Sequence, residues 1–168
     1  MPIGRQMLLI ETTDHDFADL IEGRAPGGLR QAGGAVESAE VLTMLRELAS
    51  KIRPRFDPAC WMMVENAEIV GLCSIIKVGP DGSILIGYGV SAERRKRGFA
   101  SAAVRTLVDW ARSDTRVQSV KAETSVDNRP SQRVLEKNGF ARTGERFDEG
   151  DGDLICWSIP TPHSRLSE

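Results

Sequence analysis

The chain has 168 residues, 40% of them hydrophobic and 27% charged, with a formal net charge of -2. That suits one compact domain with room for a core, and the mild acidity gives no global reason to expect nucleic acid or anionic membrane as a partner. No apolar run approaches the roughly 20 residues that span a bilayer. Residues 1–7 lack the long apolar core of a secretory signal, so the chain reads as cytoplasmic. Cys60, Cys73 and Cys156 are an odd set without short spacing, which suggests neither a disulfide framework nor a zinc site. With His15 and His163 as the two histidines, no metal centre is expected. The cysteines read as small buried hydrophobes in strands.

Residues 7–12 predict a first strand and residues 14–22 a short helix, with Thr13 or Asp14 placed to cap it. Residues 23–37 hold five glycines and one proline without apolar periodicity and read as a mobile loop. Ser38 is placed to cap a second helix, in which Val41, Leu42, Leu45, Leu48, Ala49 and Ile52 recur at helical spacing and which ends before Pro54 and Pro58. Residues 60–66, 69–78 and 83–91 are strand-like and joined by the turns Asn66-Ala67 and Pro80-Asp81-Gly82, so they predict antiparallel neighbours. A helix over 98–113 follows, with Phe99, Ala103, Val104, Leu107, Val108 and Ala111 along one face. The strand at 117–126 should lie parallel to the strand before that helix. A short helix over 130–138 leads to a hairpin, 140–147 with 154–159, around the acidic turn at 148–153. Residues 1–160 read as a single domain and 161–168 as a frayed tail. The order predicts an α/β (α+β) fold, with about four helices on a mixed, mostly antiparallel sheet of six or seven strands.

The most informative stretch is the strand Ile84-Leu85-Ile86-Gly87-Tyr88-Gly89-Val90 and the basic loop that opens into the third helix. The first turn of a helix leaves its N–H groups without intrahelical partners at the electropositive end of the macrodipole. Gly98 removes a Cβ from the approach of an anion, and Ala100 and Ser101 keep the next approach small. With Arg95, Lys96 and Arg97 around it, this is a phosphate cradle. Alternatives are a solvated basic run or a nucleic-acid patch over Arg94, Arg95, Lys96 and Arg97. Gly87-Tyr88-Gly89-Val90-Ser91-Ala92 matches a dinucleotide fingerprint by string, but its glycines fall inside the strand and charged loop follows, so that reading is rejected. Glycines there mark a bulge or something lying close to the backbone.

Arg95-Lys96-Arg97-Gly98-Phe99-Ala100 resembles the R/Q-x-x-G-x-G/A signature of the GNAT superfamily of acyl-CoA N-acyltransferases. Asn128-Arg129-Pro130-Ser131-Gln132-Arg133-Val134-Leu135-Glu136-Lys137-Asn138-Gly139-Phe140 resembles its second motif, N-x-x-S-x-x-x-x-E-K-x-G-F, as found in the branch of ribosomal-protein N-terminal acetyltransferases. The resemblance spans about residues 60–159; the first fifty residues match by element order.

It implies an acetyltransferase that uses acetyl-CoA, without metal, on an amine acceptor that is a small molecule or a protein N-terminus, in a monomer or homodimer. The parallel strands are expected to splay and admit the pantetheine arm. Coenzyme contacts are expected at Val90, Arg95, Lys96, Arg97, Gly98, Phe99, Ala100, Ser101, Asn128, Ser131 and Lys137; Asn128 also suits a helix cap. The Val90 N–H takes the position of the oxyanion donor. An amine attacks the thioester, passes through a tetrahedral oxyanion and releases thiolate. A lysine-like amine has a pKa near 10.4, so the site must supply a base or bind the neutral form.

The sequence departs from the family where a glutamate and a tyrosine are common, at Leu85 and Leu135. Tyr88 and Glu123 are the nearest substitutes. Tyr88 fits an acid or a pocket wall, and Glu123 a water-relayed base or a solvent-facing carboxylate. The acceptor groove is expected between residues 23–37 and the acidic turn at 148–153, which would attract a cationic amine. Two other functions stay open: an acyl-CoA-binding module that has lost its chemistry, suggested by Leu85 and Leu135, and nucleic-acid binding through Arg94–Arg97.

Overall fold

The structure, a computed structural model, describes residues 6–162 of the chain. The described residues form the mixed, mostly antiparallel sheet and four α-helices that the element order predicts, with eight strands where six or seven were expected, and most boundaries fall within a residue or two of expectation. The described residues divide into two compact units, residues 6–76 with 88–103 and residues 77–87 with 104–162.

In the first unit β1 (Leu8–Glu11) runs antiparallel to β3 (Cys60–Glu65), and β3 antiparallel to β4 (Glu68–Val78), whose last two residues belong to the second unit. Asn66 and Ala67 join β3 to β4 with φ of 50° and 61°, the paired positive values of a tight hairpin turn whose twist matches its strands. Between β1 and β3 stand α1 (Asp14–Ile21), the short strand β2 (Arg30–Gln31) and α2 (Ala39–Ile52). Thr13 caps α1 reciprocally: its hydroxyl accepts from the Asp16 N–H, and the Asp16 carboxylate accepts from the Thr13 N–H. The Ser38 hydroxyl accepts from the Val41 N–H and starts α2 as expected. The helices pack together, and Arg46 grips Asp14 through Nε at 2.7 Å and Nη2 at 2.8 Å. Phe17, Leu20, Leu42, Ala49 and Ile52 are buried there.

Residues 23–37 are more than a loop. Arg30 and Gln31 pair parallel with Glu68 and Ile69, and Pro26, Ala32 and Val36 are buried. A two-residue strand has too little periodicity to be visible in a sequence.

The second unit holds the start of β5 (Ser83–Val90), most of α3 (Phe99–Ser113), β6 (Ser119–Ser125), α4 (Arg129–Lys137), β7 (Ala141–Asp148) and β8 (Gly152–Pro160). β6 pairs antiparallel with β8 over its whole length, and β8 with β7. β5 and β6 are parallel, as predicted, in a ladder of Ser83, Ile84 and Leu85 with Ser119, Val120 and Lys121. The hairpin turn is tighter than expected: Asp148 and Gly152 already belong to strands, and the Asp148 carboxylate accepts from the N–H groups of Gly150 and Asp151. Trp157 is buried with its Nε1–H donating to the Thr124 hydroxyl at 3.0 Å. Thr161, assigned above to the frayed tail, is buried; its N–H donates to the Gln118 carbonyl and its hydroxyl to the Val117 carbonyl. Residues 163–168 of that tail lie outside the described residues. Cys60 and Cys73 are buried strand residues as expected, whereas Cys156 on β8 is half-buried. Burial raises the Cys60 thiol to about 11.

One glycine decides how closely the strands of the first unit approach. A Cβ on Gly71 of β4 would collide with the Gly89 carbonyl and lie 2.9 Å from the Met63 sulfur and 3.2 Å from the Val90 Cα. The β3–β4 register shifts opposite this residue, between Met63 and Val64. The end of β5 therefore lies against β4 because position 71 has no side chain. Gly71→Ala is expected to destabilise the fold by about 1–3 kcal/mol, the usual cost of overpacking. A thermal melt unchanged from wild type would contradict this close approach.

Candidate functional site

Val90 and the segment from Arg95 to Ser101 fall in the first unit; Glu123, Asn128, Ser131 and Lys137 fall in the second. After Val90 the chain makes a single 3₁₀ turn, Ala92–Arg94, then enters α3 through Lys96 and Gly98, both left-handed with φ of 63° and 80°. Glycine adopts that region freely, whereas an L side chain pays roughly 1–2 kcal/mol to stay there. A Cβ on Gly98 would meet nothing within 4 Å, and the same is true at Gly89, so both positions face open space. Arg95, Lys96 and Arg97 are exposed and Phe99 is buried. α3 is fifteen residues long and begins at this turn, so its first N–H groups and its dipole lie beside three cationic side chains.

The four basic residues are not equivalent. Arg94 is half-buried and donates from Nη2 to both carboxylate oxygens of Glu68 at 3.2 Å. It belongs to the framework, and Arg95, Lys96 and Arg97 are left as the exposed cations of the run. Arg95 folds back, its Nε donating to the Val90 carbonyl at 3.3 Å. The loop that carries charge and the strand end with the expected oxyanion donor are thus bonded to one another.

In the second unit Asn128 is the N-cap of α4, its side-chain oxygen accepting from the Ser131 N–H at 3.2 Å. Pro130 stands in the first turn, where its missing N–H costs nothing. Lys137 closes the helix nine positions after Asn128, roughly 13 Å away along its axis, where its charge complements the C-terminal end of the dipole. Asn128 and Ser131 are together; Lys137 is apart from them.

Glu123 lies across β6–β8 from Cys156 and is gripped by Arg146 of β7, Nε to Oε2 at 2.5 Å and Nη2 to Oε1 at 2.8 Å. The side chain is 23% exposed. The Arg146 hydrogen bonds hold its pKa below the ordinary glutamate value, against the opposing effect of partial burial. A carboxylate so paired is a weak proton acceptor. Arg146 was not foreseen, because an arginine on a strand predicts nothing until the register shows which carboxylate it faces. Tyr88 is half-buried on β5. Leu135 is completely buried and Leu85 half-buried, so neither position offers a group that could exchange a proton.

Both glycines of the rejected dinucleotide string lie within β5 and charged loop follows, as that rejection requires. Among the described residues no group of three or more His, Cys, Asp and Glu side chains is placed to hold a metal ion. No described helix is long and apolar enough to cross a membrane.

The family described as Acetyltransferase (GNAT) domain matches residues 6–141. The uncharacterized N-acetyltransferase YjdG of Bacillus subtilis (strain 168) is 33% identical over 105 residues, 60% of this chain and 62% of that protein. The chain thus spans less than two thirds of that curated relative's length. Among solved structures, the ribosomal alpha-N-protein acetyltransferase RimL in complex with coenzyme A aligns with a TM-score of 0.69 and 17% identity, covering 95% of this chain and 96% of that one. A ribosomal-protein alanine acetyltransferase from Vibrio fischeri aligns with a TM-score of 0.69 and 18% identity, covering 97% and 96%. At such identities the structures speak for the fold, while the family match extends from β1 to the start of β7. The chain belongs to the acetyltransferase (GNAT) domain family.

Proposed function

We propose that this chain transfers an acetyl group from acetyl-CoA to a primary amine by direct attack of the amine on the thioester. The observation that carries this reading is the turn into α3. Left-handed Lys96 and Gly98, open space at position 98 and three exposed cations stand at the start of a fifteen-residue helix. Such a turn fits a pyrophosphate. RimL, similar in fold, was solved with coenzyme A. The turn, with Arg95, Lys96, Arg97 and the backbone from Gly98 to Ser101, would hold the phosphates, Phe99 shaping the turn from beneath. Asn128, Ser131 and Lys137 are proposed further contacts. When bound, the coenzyme supplies an activated acyl carbonyl.

The chain's own contributions follow from its backbone. The end of β5 runs on from the three-pair ladder with β6, and there the Val90 N–H would donate to the oxygen on which negative charge develops. One such donor is worth on the order of 10²–10³ in rate. Tyr88 would wall the acyl site or hold a proton, while Glu123, the other candidate for a water-relayed base, would act only weakly against the grip of Arg146. The tip of the β7–β8 hairpin carries Glu149 and Asp151 in its turn and Asp148 and Asp153 at the strand ends, and would draw in a cationic acceptor.

A second reading, a coenzyme-binding module with impaired chemistry, is favoured by two observations: Leu135 is fully buried, and Arg146 keeps Glu123 ionised. Coenzyme-dependent release of free thiol across a panel of amines separates the two readings, since only the transferase produces it.

Gly98→Glu is expected to abolish CoA binding in calorimetry while the thermal transition persists, because a carboxylate would enter the anion turn. A folded variant that binds CoA as the wild type does would remove the site assignment. Replacing Asp151 and Asp153 together by asparagine should raise the acceptor KM several-fold and flatten its dependence on salt; unchanged kinetics would rule out the acidic turn as an acceptor guide.

The Glu123–Arg146 pair makes a pH prediction. Because the folded state lowers the Glu123 pKa, the pair's contribution to stability is present above the ordinary glutamate value and is lost as pH falls through the lower folded value. Arg146→Met should therefore lower the melting temperature at neutral pH by a margin that shrinks towards pH 3. A margin that stays constant across that range would show that the pair does not titrate as described.

A further inference from the structure

Residues 91–94 link the proposed oxyanion donor to the proposed phosphate turn, and three of the four are engaged by the glycine-rich segment or the strand beside it. Ser91 is 8% exposed, and its hydroxyl donates to the Ala32 carbonyl across 3.5 Å. The Glu93 carboxylate lies directly over Gly33, whose φ is +76°; a Cβ at that position would collide with it. Arg94 is tied to Glu68, which faces Arg30 in the β2–β4 ladder. Gln31 closes the segment on its other side: its side-chain Nε2 donates to the Gly23 carbonyl at 3.1 Å, and its side-chain oxygen accepts from the Val36 N–H at 3.0 Å.

Each of these contacts is modest alone, but together they remove the independence of two stretches far apart in sequence. Gly33 brings bare backbone against the end of the Glu93 side chain, so residues 31–36 and residues 91–94 meet with no side chain of position 33 between them. Ala32, 2% exposed, fixes the same point from below. Residues 31–36 therefore share their footing with the stretch that leads into the 95–101 turn.

We infer that Glu93 and Gly33 form a contact through which a phosphate-bearing coenzyme in the 95–101 turn steadies residues 31–36, making Glu93 a positioning residue for the segment between β2 and α2. This rests on the coenzyme reading above. Coupling of this kind is reciprocal: whatever stabilises residues 31–36 also tightens the coenzyme turn. It gives the glycine-rich segment a second role, as a reporter of coenzyme occupancy.

Hydrogen exchange on the full chain, with and without saturating CoA, tests it. In the wild type CoA should slow exchange at 98–103 and also at 31–36, the latter by about fivefold, the lower end of ordinary coupling energies. In Glu93→Ala, and independently in Gly33→Ala, CoA should still protect 98–103 while its effect on 31–36 is lost. Protection confined to 98–103 in the wild type, or retained at 31–36 in both variants, overturns the inference and leaves the coenzyme reading standing. No protection at either segment, with no heat of CoA binding, refutes the coenzyme reading and the coupling with it.

Discussion

The path from β5 into α3 governs the site, and it depends on two residues that leave the ordinary backbone region. Lys96 and Gly98 are left-handed, and the chain could not pass from the Val90 end of the strand into the helix along this route without them. Lysine in that conformation is strained, and sites that persist in strain do so because the surroundings over-determine them. Here the surroundings are identifiable. Arg94 is anchored to Glu68, Arg95 to the Val90 carbonyl, and Phe99 is buried immediately after the turn. Held at both ends, the loop delivers the chain to a helix terminus, a place where backbone alone favours anions.

The same economy appears in the approach of β4 to β5. Gly71 and Gly89 face one another so closely that position 71 has no room for a methyl group. The N–H proposed for catalysis at Val90 would be positioned by this backbone contact and by the bond from Arg95 to the Val90 carbonyl. That suits a group that must meet developing charge without reorganising.

Much of this was legible in the sequence. Helix starts at Thr13, Ser38 and Asn128 were visible because capping chemistry is local. The proposal of an anion turn was open to the sequence because a glycine after three basic residues, at a helix start, sets bare N–H groups and positive charge side by side. What stayed hidden depends on register. Arg94 looked like one of four equal cations until Glu68 was placed beside it. Glu123 looked like a candidate base until Arg146 was found across two strands. β2 is too short for any pattern, and Thr161 lacks the neighbours in sequence that would announce its hydrogen bonds to Val117 and Gln118. Local chemistry is written in neighbouring letters, whereas pairing across a sheet is fixed by the fold.

β7 carries this contrast to the margin of the sheet. Residues 141–147 are all exposed, one side of the strand is paired with β8, and the ladder slips between Arg142 and Gly144. An open margin of that length invites a strand from another molecule. Arg142, Glu145 and Arg146 oppose such stacking, since an incoming strand would have to strip water from each charge, and the slip in register bends the strand away from a flat template. Arg146 therefore serves solubility as well as electrostatics: the guanidinium that holds Glu123 ionised also guards a β-edge beside the exposed ring of Phe147 against aggregation.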